Sequence, residues 1–254
     1  DKMRNVLFIL SVLFSFILSA QNETIFEQAN TLYNEGKYAE AIDKYTAILE
    51  TGNHSAELYF NLGNANYKLN NIAPSIYYYE KALQLAPNDN DIKNNIAFAR
   101  NMTIDAIDVV PESGFSKLIK SITNTFSFDV WAKLSIVLVF CFVLLFLIYY
   151  FAFSSLKKRL TFIGSLTALF LSCFTLVFAF HKYDLDKKDK PAIVFAQESK
   201  IKSEPNVRSE ESFRLHEGTK VQVLDTIGEW KKIKLSDGKT GWVLSEDIKM
   251  LNAF

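Results

Sequence analysis

Cysteine is nearly absent from this chain: two residues in 254, Cys141 and Cys173, both inside long apolar runs. That excludes a disulfide framework and leaves no thiol placed for exposed redox chemistry. A helix–helix contact is the bland role for two such small side chains. Histidine is almost as scarce. His54, His181 and His216 show no paired spacing that would suggest a metal, and no glycine-rich phosphate loop is present. Excess charge is missing too, with 28 basic and 28 acidic residues. Residues 21–129 hold fourteen acids and eight bases, and residues 182–254 hold thirteen and fourteen. Neither part has the basic field of a nucleic-acid binder. Asp184, Asp186 and Asp189 alternate with lysines and read as a solvated tether. The apolar runs contain no charged side chain on which to build an ion or proton path. No catalytic residue, metal ligand or cofactor is expected, and the chain reads as non-enzymatic.

What the chain does have is three hydrophobic blocks in a telling order. Lys2 and Arg4 precede a short one, Val6 to Ala20. A basic start, a short apolar centre and a small residue at the boundary describe a secretory signal peptide, either cleaved after Ala20 or kept as an anchor. Two longer blocks, Leu134 to Leu156 and Leu160 to Phe180, are separated by Lys157, Lys158 and Arg159. Roughly 20 apolar residues in helical form cross a bilayer core, so both read as transmembrane helices. The expected order is a signal peptide at 1–20, a helical domain with its cap at 21–102, and a linker with an amphipathic helix at 103–129. Spans at 130–156 and 160–181 follow, joined by a cytoplasmic turn at 157–159. A linker at 182–190 leads to a small β domain at 191–254. Both soluble parts then face the periplasm of a bacterial inner membrane. In the amphipathic segment, Phe115, Leu118, Ile119, Ile122 and Phe126 recur at helical spacing. That helix either lies at the membrane surface or packs under the helical domain.

The helical domain repeats itself at 34 residues. Phe26 aligns with Phe60, Asn30 with Asn64, Tyr33 with Tyr67, Ile42 with Ile76, and Tyr45 with Tyr79. Small Ala41, Gly63 and Ser75 let paired helices approach, Tyr45 and Tyr79 fill the space between them, and Pro87 stops the second pair. Gly36-Lys37 and Asn70-Asn71 tolerate the turn between helices. Ile92, Ile96, Ala97 and Ala99 mark a capping helix. Period and pattern resemble the tetratricopeptide repeat. The resemblance implies a concave face lined by Phe26, Asn30 and Tyr33, then Phe60, Asn61, Asn64 and Tyr67. Such rows suit an extended peptide, with amides for its backbone and rings for its side chains; alternatively Phe26 and Phe60 are core. Chaperone-binding members hold a terminal carboxylate with cationic residues. Phe26, Asp91 and Asn95 stand at those positions here, which argues against that ligand.

Residues 192–250 read as short strands at 193–195, 221–224, 230–235 and 241–243. Turn signals stand at Glu217-Gly218 and Ser236-Asp237-Gly238-Lys239. Asn206-Val207-Arg208-Ser209, Gly228-Glu229-Trp230 and Gly238-Lys239-Thr240-Gly241-Trp242-Val243 resemble the bacterial SH3 domain, a small β-barrel. The loop at Glu210-Glu211-Ser212 is shorter than that family's usual one. Members bind cell-wall peptides or proteins. Trp230 and Trp242 are either groove aromatics or core.

The expected fold class is thus a multi-domain α + β membrane protein: a tetratricopeptide-repeat solenoid, a two-helix hairpin and an SH3-like barrel. The full order resembles the E-type members of the Bat (aerotolerance) family. That resemblance implies protein partners of the von Willebrand A type and a role in envelope stress. A cell-wall anchor whose barrel binds peptidoglycan is the other reading.

Overall fold

Helices form where small residues and capping side chains permit close, well-terminated packing. The computed structural model describes residues 21–107 and 114–251. The expected signal segment at 1–20 lies outside them. Residues 21–34 are helical (α1), followed by α2 (Tyr38–Glu50), α3 (Ala56–Lys68), α4 (Ile72–Leu85) and α5 (Asn90–Arg100). Ser55 caps α3 by accepting from the Leu58 N–H, and Asp89 caps α5 by accepting from the Asp91 and Ile92 N–H groups. Gly36 (φ 79°) and Asn70 (φ 61°), 34 positions apart, take the left-handed turn conformation. Tyr45 and Tyr79 are each 1% exposed between their helix pairs. A methyl group added at Gly63 would sit 2.6 Å from the Tyr79 ring, so only glycine fits there.

Residues 190–251 form seven strands: β1 (Pro191–Val194), β2 (Glu198–Lys202), β3 (Glu211–His216), β4 (Lys220–Ile227), β5 (Trp230–Lys234), β6 (Thr240–Leu244) and β7 (Ile248–Met250). Their order is β3-β2-β6-β5-β4-β1-β7, with every pairing antiparallel. This corrects the expected barrel: β3 and β7 end the sheet and do not pair with each other. β7 has three residues, and its ladder is used on β1. β2, β3 and β7 were not legible as strands, because charged residues interrupt their alternation.

The repeats and the sheet belong to one compact unit, which among the described residues comprises 21–107 with 190–251. A single apolar cluster runs from Tyr59, Ile76, Tyr79, Ile92 and Ile96 of the helices to Ile193 and Leu251 of the sheet domain. Around it, Glu80 is 6% exposed and its carboxylate accepts from Arg100 (2.6 Å) and from Lys220 of β4 (2.7 Å). Gln84 Nε2 donates to the Leu251 carbonyl at 3.0 Å. Lys249 stands 4.5 Å over the Tyr77 ring, beside Phe195. Burial holds the Lys249 ammonium below the usual lysine range.

The second unit comprises, among the described residues, 114–189. It contains α6 (Gly114–Thr123), α7 (Phe128–Phe151) and α8 (Ser155–Lys188). Both long helices have the length and apolarity to cross a membrane. Ser165, Ala168, Ser172, Thr175 and Ala179 make a small-residue seam on α8. There Ser135 Oγ donates to the Ser172 carbonyl at 3.1 Å. Three expectations change here. The turn between the long helices falls at residues 152–154, where Ala152 is extended. Lys157, Lys158 and Arg159 therefore sit in the opening turns of α8 rather than between helices. The expected linker at 182–190 is helical to Lys188, held by Lys182–Asp186 and Lys188–Asp184 pairs at i,i+4. Cys141 and Cys173 are exposed, not in the seam. In α6, Ile122 packs against the Trp131–Phe178–Ala179 cluster, while Phe115 and Leu118 stay exposed.

Candidate functional site

The groove side of the repeats is organised by four amides and two buried phenols. Tyr45 donates to Asn30 Oδ1 at 2.5 Å, and Asn61 Nδ2 donates to the same oxygen at 3.1 Å. One repeat later, Tyr79 donates to Asn64 Oδ1 at 2.6 Å, and Asn95 Nδ2 joins it at 2.8 Å. Each bond recurs with the sequence period. The carbonyl end of Asn30 and Asn64 is thus consumed in holding adjacent helices together. Among the described residues, the Nδ2 of Asn64 and the Oδ1 of Asn95 have no protein hydrogen-bond partner. Burial pushes the Tyr45 phenol up to about 12 and the Tyr79 phenol higher still, so both stay protonated donors at neutral pH.

A cavity of about 270 Å³ opens beside the second rung, lined by Tyr33, Asn64, Tyr67, Lys68, Tyr79, Asn95 and Phe98. It brings together three of the expected residues: Tyr33, Asn64 and Tyr67. Desolvation raises the Tyr33 phenol above its ordinary value, with a smaller contribution from Tyr38. Phe26 and Phe60 lie outside this cavity. Their rings tilt against Tyr45 and Tyr79 at 5.7 and 5.9 Å, and both join the partly buried shell of the core. Asn30 and Asn61 hold each other across the first rung. Asn95 and Phe98 were readable by carrying the 34-residue period once more, from Asn61 and Asn64. Lys68 had no such signal.

In the sheet domain, Val243 is fully buried, and its strand neighbour Trp242, 8% exposed, points to the opposite face beneath the Lys232 ammonium at 5.9 Å. Trp242 thus offers little open ring surface. Trp230 is half-buried. The β5–β6 register, Trp230 opposite Leu244 and Lys232 opposite Trp242, puts both side chains on one face of the sheet.

The comparisons agree with this geometry. Residues 26–90 match the tetratricopeptide repeat, and residues 199–249 match the Bacterial SH3 domain. The chain carries both modules. No curated protein matches it. The tetratricopeptide repeats point to protein–protein interaction, and the bacterial SH3 domain points to protein or peptidoglycan binding. In the tetratricopeptide part, Asn64, Tyr79 and Asn95 of the second rung line the cavity. In the SH3 part, the turn between β3 and β4 faces the repeats: a methyl at Gly218 would lie 2.8 Å from Thr103 Cγ2 and 2.9 Å from Ile72 Cγ2 and Ile76 Cδ1.

Proposed function

We propose that this chain is a non-catalytic, membrane-anchored scaffold whose repeats capture an extended segment of a partner protein. The carrying observation is the second rung. Its inner hydrogen bonds are satisfied within the protein, while Tyr33, Tyr67, Lys68, Phe98 and the outer ends of Asn64 and Asn95 line an open cavity. Amides can bond a peptide backbone, rings can hold its side chains, and Lys68 favours an acidic residue nearby. Phe26, Asn30, Phe60 and Asn61 lie outside this cavity and brace the first rung and the core beside it.

The anchor is the α7–α8 hairpin, with its small-residue seam inside and large apolar side chains outside. The repeats precede this hairpin in the chain and the SH3 domain follows it, yet the two share one core. That sharing supports a same-side arrangement, in which α7 and α8 cross and return. The apolar segment after Lys2 and Arg4 favours the periplasmic side of a bacterial inner membrane. The order of modules supports an E-type role in the Bat aerotolerance family, with von Willebrand A-type membrane proteins as partners in envelope stress. The SH3 match favours a second reading, in which that domain binds peptidoglycan while the repeats recruit a protein.

Capture from solubilised membranes tests the first reading. Tyr67→Ala, in a chain shown to remain folded, cuts recovery of the partner about tenfold or more, because anchor aromatics are commonly worth about 2 kcal/mol. Deleting residues 191–254 would expose the shared core, so the SH3 arm is tested by co-sedimentation of the intact chain with cell-wall sacculi. Sedimentation together with a harmless Tyr67→Ala moves the binding function to the SH3 domain.

A further inference from the structure

The linker that leaves the repeats lies on the SH3 domain in the manner of a bound peptide. Residues 103–107 form neither helix nor strand, and their burial alternates. Thr103, Asp105 and Ile107 face inward, whereas Ile104 is 72% exposed. Ile107 packs on the SH3 core formed by Ala192, Val194, Leu215, Val221 and their neighbours. Between these apolar contacts, the Asp105 carboxylate enters a ready-made set of donors. The His216 backbone N–H and the Thr219 hydroxyl donate to Oδ2 at 2.7 and 2.6 Å, and His216 Nδ1 faces Oδ1 at 2.8 Å.

All three donors belong to the β3–β4 turn of the SH3 domain, and the acceptor comes from outside it. The turn is held by the domain itself: the Gly218 N–H donates to the Val194 carbonyl at 2.9 Å, and the Val194 N–H donates to the Thr219 carbonyl at 2.9 Å. Hydrogen bonds to an ionised carboxylate are short and strong, and three converging donors select that group over an amide. An inward apolar residue two positions later adds the alternate-residue reading by which extended peptides are recognised.

We propose that the β3–β4 turn is a recognition site for an aspartate-bearing peptide of the form Asp-x-Ile, filled in cis by Asp105–Ile107. The tethered segment occupies the site at high effective concentration. A peptide of the same chemistry supplied in trans competes for the same donors and releases the linker, and with it the tie between the SH3 domain and the strand of chain that leads to α6. This site is separate from the repeat groove, so Tyr67→Ala leaves it unchanged.

The test uses the full chain in detergent and a fluorescent synthetic peptide, Thr-Ile-Asp-Ala-Ile-Asp-Val, copied from residues 103–109. The site is opened by combining Asp105→Asn with Ile107→Ser, and tryptophan fluorescence confirms that the SH3 domain remains folded. The opened chain binds the peptide saturably, and the unaltered chain binds it at least about tenfold more weakly. A peptide carrying asparagine at the first aspartate loses about tenfold or more on the opened chain, the scale of a charge-assisted hydrogen bond. Adding Thr219→Val to the opened chain weakens binding without unfolding it. Absence of saturable binding to the folded, opened chain overturns the proposal. So does equal binding of the aspartate and asparagine peptides.

Discussion

Gly218 is where the docking of the two modules can be weighed against a control in the same domain. Its φ of 86° is left-handed, and a Cβ there would meet three apolar tips from the repeats and their linker at 2.8–2.9 Å. Gly238 has a similar φ of 92° but nothing within 4 Å. Alanine at either position takes on the left-handed backbone cost, about 1–2 kcal/mol. Only Gly218→Ala adds overpacking, about 1–3 kcal/mol. Thr103 and Ile72 present β-branched methyls that turn aside poorly, so the upper part of that range applies. Each kcal/mol lowers the midpoint of a unit of this size by about 2–4 °C, so about 2–3 kcal/mol makes Gly218→Ala melt about 4–12 °C below Gly238→Ala. Thermal unfolding of the full chain in detergent measures the gap. Hydrogen exchange supplies the second readout: Gly218→Ala speeds exchange in α4 as well as in the β3–β4 turn, and Gly238→Ala leaves α4 unchanged. Equal midpoints, with α4 protection intact in both variants, would refute the shared core.

Two further outcomes follow from the hydrogen bonds. Asn64→Ala removes the acceptor of a phenol buried at 1% exposure and the partner of Asn95, so it destabilises the repeats by about 1–3 kcal/mol in urea unfolding. A neutral result would make Asn64 a ligand contact alone. For Asp105, burial pushes the carboxyl up, but hydrogen bonds from Thr219 and His216, with the charge of His216, outweigh it and hold the group below its ordinary 3.8. A depressed carboxyl stabilises above its unfolded pKa and loses that contribution as pH falls through the folded one. The melting difference between the unaltered chain and Asp105→Asn therefore shrinks as pH falls below about 4. A difference that persists undiminished at lower pH would contradict the ion-pair geometry.

The sequence made the repeats legible because their constraints are periodic. Gly36 and Asn70, Tyr45 and Tyr79, and Asn30 and Asn64 each recur at 34 residues and each does the same structural job twice. The long helices were legible from length and apolarity, but their ends were not. The basic triplet looked like a turn, whereas an extended Ala152 and Ser154 at the N-cap of α8 set the break five residues earlier. The role of the amides was half legible. Their positions were visible, but a side chain read as ligand-facing turned out to spend its carbonyl on Tyr79. The docking of the SH3 domain was not legible at all. Glu80 with Lys220, Asp105 with His216 and Gly218 with Ile76 are pairs distant in sequence, and nothing local distinguishes them from solvated charges or an ordinary turn glycine.

Side-specific labelling tests the central claim most directly: that repeats and SH3 domain form one unit on one face of the membrane. In a chain carrying Cys141→Ser and Cys173→Ser, single cysteines are introduced by Glu50→Cys in the repeats, Ser154→Cys in the helical turn and Ser236→Cys in the SH3 domain. All three positions are exposed. A membrane-impermeant thiol reagent applied to intact cells labels residues 50 and 236 alike, and residue 154 only after the membrane is opened. Labelling of residue 50 without residue 236, or the reverse, would contradict the account.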